Sequence, residues 1–69
     1  MGIQTAASEL SRIAQEPVSV EEIKGVIYGF CSELGVLRLF HRYNLMKHNP
    51  KVRAGFSANK DSWYFSIET

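Results

Sequence analysis

Cysteine is almost missing from this sequence. Cys31 stands alone, so no intrachain disulfide can form. Beside it are only two histidines, His41 and His48, and this set falls short of a zinc finger. The two are seven positions apart, roughly 10 Å along a helix, too far to hold one ion between them. The five glycines, Gly2, Gly25, Gly29, Gly35 and Gly55, never cluster into a phosphate-cradling loop. There is no internal sequence repeat, no low-complexity tract and no linker. No apolar run reaches the length of a membrane span. Met1 to Ala6 lacks a basic start followed by an apolar run, so no signal peptide is expected, and Ala6 stands where N-myristoylation requires Ser or Thr. A cytoplasmic location, with no membrane partner, is the expectation.

Carboxylates are missing from one long stretch. The 27 residues from Leu34 to Lys60 contain none, yet they carry six of the eight cations: Arg38, Arg42, Lys47, Lys51, Arg53 and Lys60. The first 33 residues hold five Glu against one Arg and one Lys. A net charge of +1 therefore hides an acidic half and a basic half. Such asymmetry marks a surface for nucleic acid or for an acidic partner.

Sixty-nine residues, 45% of them hydrophobic, make one small globular domain, 1–69. A chain this short buries a modest share of its surface and often needs a staple. With disulfide and metal set aside, self-association remains, and a homodimer is expected on size.

The periodicities predict the elements. Ala6, Leu10, Ile13 and Ala14 share a helical face, giving a helix over 5–15. Pro17 then breaks the chain. Ser19 with Glu22 three positions on reads as a capping box, flanked by Val18 and Ile23 as a hydrophobic staple. Val20, Ile23, Ile27, Phe30, Cys31 and Leu34 follow at helical spacing, which predicts a helix over 19–34 stopped by Gly35. Within it Glu21 and Glu22 would complement the helix dipole. Gly25 and Gly29, four apart, would let another helix approach closely. Residues 36–47 fit a helix slightly better than a strand. Pro50 marks a turn, and residues 52–68 read as a β-hairpin around Asn59-Lys60-Asp61-Ser62. A four-residue loop would pair Ala58 with Trp63, Phe56 with Phe65 and Ala54 with Ile67 on the core face, and Arg53 with Glu68 and Ser57 with Tyr64 on the other.

The expected fold is thus α+β, two to three helices followed by a C-terminal β-hairpin. The alternative is two helices plus a three-stranded antiparallel sheet, with residues 36–45 as its first strand. Helix, Gly35, second helix and hairpin follow in an order that resembles a winged helix-turn-helix, and Ser32-Glu33-Leu34-Gly35-Val36 looks like the turn of that motif. The resemblance implies a recognition helix exposing Arg38, His41, Arg42 and Asn44, with Asn59 to Asp61 as the wing tip.

Cys31 falls on an apolar stripe and reads as packing rather than as a nucleophile. Phe40, Tyr43, Phe56, Trp63 and Phe65 read as core, and Tyr64 as the one aromatic facing out. Neither a catalytic site nor a cofactor or metal is expected. The expected function is that of a small non-enzymatic regulatory protein. It would bind nucleic acid by phosphate neutralisation through Arg38, His41, Arg42, Lys47, Lys51, Arg53 and Lys60. The competing expectation is a protein–protein adaptor or inhibitor, of the kind phages and mobile elements encode, using the same residues on a larger protein. A third is an obligate subunit of a larger assembly.

Overall fold

The computed structural model describes residues 2–46 and 51–68. Two helices lie on one face of a four-stranded sheet. The elements run α1 (Ile3–Ala14), β1 (Ser19–Ile23), β2 (Val26–Cys31), α2 (Glu33–Asn44), β3 (Lys51–Ser57) and β4 (Ser62–Glu68). All neighbouring strands are antiparallel, in the order β1-β2-β4-β3. The backbone thus passes twice through helix, outer strand, inner strand, and the two halves meet where β2 pairs with β4. The α+β class and the C-terminal hairpin are as expected. The winged-helix order is not, because helices and hairpins alternate.

The N-terminal helix forms as its spacing predicts. Ala6, Leu10 and Ala14 are buried on one side of it. The correction falls on residues 19–34, where a hairpin and the first turn of α2 replace the expected helix. Lys24 and Gly25 have φ of 51° and 79°. Two consecutive residues with positive φ, joining the paired Ile23 and Val26, make a tight hairpin turn whose twist matches that of the strands. A helix here would also have carried two interior glycines, at about 1 kcal/mol each relative to alanine. The valines and isoleucines that mimic a helical stripe are also good strand formers.

The N-cap that does form is Ser32, not Ser19. Its hydroxyl accepts from the Gly35 N–H at 3.2 Å. Gly35, expected to end a helix, lies in the first turn of α2. Its missing Cβ leaves room for Glu16 and Cys31, whose Cδ and Sγ would each lie 2.9 Å from such an atom. Residues 36–44 are helical, as the stronger of the two spacings indicates, so the three-stranded alternative does not form. Lys47, His48 and Pro50 lie outside the described residues.

The C-terminal hairpin forms with a register two residues away from the expected one. Phe56 opposes Trp63, Ala54 opposes Phe65, and Val52 opposes Ile67. Because the slip is two, each side chain keeps its face. The loop is Ala58 to Asp61. It is set by Asp61 at φ 50° and by the Ser57 hydroxyl, which accepts from the Lys60 N–H at 3.4 Å.

The core sits between the helices and the inner strands. Phe65 and Leu39 are wholly buried, and the Phe65 ring lies 5.3 Å from that of Tyr43. Gly29 on β2 lets Leu10 and Val18 close over the sheet. A Cβ there would stand 2.9 Å from Val18 Cγ1 and 3.3 Å from Leu10 Cδ1. Valine is stiff at χ1 and gives way poorly. Gly29→Ala is therefore expected to lower stability by about 1–3 kcal/mol, as overpacked cores do, read as a lower urea midpoint at unchanged slope.

Glu16 ties the first half to the second. Its carboxylate accepts from the Ser32 hydroxyl at 2.6 Å and from the Ser32 N–H at 2.7 Å. This reproduces a capping box with a carboxylate from 16 residues upstream, since position N3 is glycine. Close by, Arg38 Nη1 donates to the Ala14 carbonyl at 2.9 Å and closes the end of α1. The Ser32 hydroxyl first, then its N–H, hold the Glu16 carboxyl below the usual carboxylate range. A carboxylate whose pKa is lowered by folding stabilises above its unfolded value, and that stabilisation is lost as pH falls through the folded one. The urea midpoint is thus expected to drop between about pH 5 and pH 3, and to drop less in Glu16→Gln. Equal pH profiles for the two chains would refute this.

Candidate functional site

Both helices cover the same side of the sheet, so the opposite side faces outward. Its composition follows from the register and the alternation of the strands. One row across the sheet reads Ile23, Val26, Glu68, Lys51, the next Glu21, Tyr28, Ser66, Arg53, and the third Ser19, Phe30, Tyr64, Gly55. Three aromatic side chains, Tyr28, Phe30 and Tyr64, stand at its centre on the two inner strands. The Tyr28 and Tyr64 rings are 6.3 Å apart and tilted by 54°. Gly55 gives Tyr64 its room. A Cβ on Gly55 would meet Tyr64 Cε1 at 3.2 Å, so the phenol edge lies across β3.

Two shallow grooves mark this face, and Tyr28 lines both. The first, about 230 Å³, is lined by the apolar Ile23, Tyr28, Phe30 and Tyr64, with Glu21, Asn59 and Lys60 among its polar residues. Lys60 reaches from the β3–β4 loop across Phe30. Its ammonium lies 5.5 Å from the ring centroid, within cation–π range, and 2.7 Å from Glu21 Oε1. The second groove, about 200 Å³, lies towards the far ends of β2 and β4, where Lys51 and Arg53 come together with Ser66 and Glu68.

The structure divides the residues singled out from the sequence. Lys51, Arg53 and Lys60 come to the open face. Arg38, His41 and Arg42 belong to α2, in the layer on the other side of the sheet. Arg38 is half-buried and holds the end of α1. Lys47 lies outside the described residues. A basic surface running from 36 to 60 is therefore not what the fold builds. Nor does α2 have the form of a recognition helix. Leu34, Leu37 and Leu45 along and just past it are 55%, 56% and 73% exposed, and the element directly before it is strand β2 rather than a helix.

Glu21, Tyr28 and Phe30 were not singled out for this face. Their signal was present as the alternation Tyr28-Gly29-Phe30, which sends two aromatics to one side if the segment is a strand. Tyr64 faces out as expected. Of the aromatics read as core, Tyr43 and Phe65 are buried and Phe40 and Trp63 pack against them, while Phe56 is half exposed.

Cys31 packs on the helix side. Partial burial, and secondarily the Glu16 charge, push its thiol up to about 11, so it is protonated at neutral pH and a poor nucleophile. Among the described residues no three His, Cys, Asp or Glu side chains converge as a metal site would need. No helix among them is long and apolar enough to cross a membrane.

Comparison of the chain with protein-family models, with curated proteins and with solved structures gives no match.

Proposed function

We propose that this chain is a non-enzymatic binding protein whose open sheet face holds single-stranded nucleic acid. The observation that carries the reading is the interleaving of three outward aromatics, Tyr28, Phe30 and Tyr64, with three cations, Lys51, Arg53 and Lys60, on the antiparallel sheet face that neither helix covers. Unpaired bases stack on aromatic faces, and phosphates follow the cations between them. A duplex offers its bases only at groove edges, and a groove admits a helix or a two-stranded ribbon rather than the face of a four-stranded sheet. Glu21 and Glu68 share the face, so its positive excess is small. Stacking, more than charge, would then set the affinity.

A second reading rests on the exposed leucines of α2. Leu34, Leu37 and Leu45 are exposed apolar side chains in the helical layer, suited to an adaptor that docks on another protein. A regulatory protein that joins a strand to a protein partner would use both layers.

The test is an amide NMR titration with single-stranded and duplex DNA of one mixed sequence, at low and moderate salt. Shifts confined to the four strands and the 58–61 loop, tighter with the single strand, are the expected result. Shifts centred on α2, or none with either form at low salt, would overturn the reading.

A further inference from the structure

The groove at the Glu21 end of the open face carries a hydrogen-bonding pattern as well as an apolar floor. Lys60 Nζ and Glu21 Oε1 sit 2.7 Å apart at its margin, 49% and 43% exposed, so the pair is open to a ligand. Lysine offers only donors and an ionised carboxylate only acceptors. Side by side, the pair presents donor then acceptor over the aromatic lining of Tyr28, Phe30 and Tyr64.

Resting on the single-strand reading, we infer that this groove is a guanine site. The Watson–Crick edge of guanine runs O6, N1–H, N2–H₂, an acceptor followed by two adjacent donors. Lys60 donates to O6, and the two carboxylate oxygens of Glu21 accept from N1–H and N2–H. Charge-assisted and forked hydrogen bonds of this kind are strong and directional. The other bases fail on the same geometry. Adenine and cytosine each place a ring acceptor beside their amino group, against the carboxylate. Uracil and thymine have one N–H flanked by two carbonyls. A mismatched base leaves the carboxylate facing a lone pair, and discrimination arises from that repulsion as much as from the match. Tyr28 lines both grooves, so a strand seated here leads its neighbouring phosphate to Lys51 and Arg53.

The experiment is fluorescence anisotropy with labelled thymidine strands of about ten nucleotides. Their central base is guanine, hypoxanthine, adenine or cytosine, and unlabelled guanosine monophosphate serves as competitor. Guanine is expected to bind on the order of tenfold tighter than adenine or cytosine. Hypoxanthine, which lacks N2–H₂, should fall between. Glu21→Gln should collapse this ranking. Lys60→Met keeps the stem over Phe30 but should also lose the preference. Equal affinity for all four strands would overturn the guanine site and leave the open-face reading standing. Binding to none would overturn both. Displacement by guanosine monophosphate at the concentration at which the guanine strand itself competes would keep the guanine site. It would assign the ligand as a free nucleotide and overturn the strand reading.

Discussion

Phe65→Ala is expected to leave most of the chain unfolded at room temperature. Phe65 is wholly buried on an inner strand, packed against Tyr43 and opposed across the strand pair by Gly29. Truncating a buried phenylalanine costs about 3–5 kcal/mol, because a cavity is left as well as transfer energy lost. At about 0.05–0.15 kcal/mol per residue, a domain of this size holds about 3–10 kcal/mol in total, and for a chain this short, towards the lower end, the loss removes most of it. Gly29 has no side chain with which to fill the void, so collapse would have to come from the helices. Phe56→Ala, half exposed on the edge strand, serves as the control and is expected to cost under about 1 kcal/mol. Urea unfolding followed by far-UV circular dichroism reads both. A Phe65→Ala chain with a midpoint close to that of the Phe56→Ala control would mean that the core is centred elsewhere.

The second large effect falls on binding. Replacing Tyr28 and Tyr64 together by alanine is expected to weaken single-strand affinity by about a hundredfold or more, since each base stacked on an aromatic contributes about 1–3 kcal/mol. Neither ring belongs to the buried core, so the fold should persist with a modest loss of stability. The salt dependence separates this effect from a charge effect. Lys51, Arg53 and Lys60 remain in the double variant, so the slope of log affinity against log salt should stay as it was. Replacing Lys51 and Arg53 by glutamine should do the reverse, flattening the slope with a smaller loss at low salt. An unchanged affinity in the tyrosine variant would end the stacking account and turn attention to the leucines of α2.

Some of this was legible in the sequence and some was not, for identifiable reasons. The helix over Ala6, Leu10 and Ala14 has a single partner face, so its spacing was unambiguous. The C-terminal hairpin alternates cleanly because its strands are polar on one side. Its register was off by two because the loop is placed by a left-handed Asp61 and a Ser57 cap, neither of which leaves a pattern in spacing. The first hairpin was hidden more deeply. β2 is an inner strand, apolar on both faces, so Val26 to Cys31 shows no alternation of polarity and falls by chance on a helical stripe. Ser19 and Glu22 completed the disguise, while the real cap draws its carboxylate from Glu16 at long range. Losing β2 meant losing the open face, and with it Tyr28 and Phe30. Lys51, Arg53 and Lys60 were found from charge alone. Charge could not show that Arg38, His41 and Arg42 lie in the other layer.

The seam between β2 and β4 also governs how the chain reaches its fold. Each hairpin closes over a short loop and can form in microseconds. Pairing Gly29 with Phe65 instead closes a loop of more than thirty residues, and Phe65 finds Leu10 and Val18 nearby only once that loop is shut. The search for this one non-local register is then the slow event, and neither half has a completed core before it. In stopped-flow refolding, substitutions along the seam should therefore slow folding, whereas those in the 58–61 loop should mostly hasten unfolding.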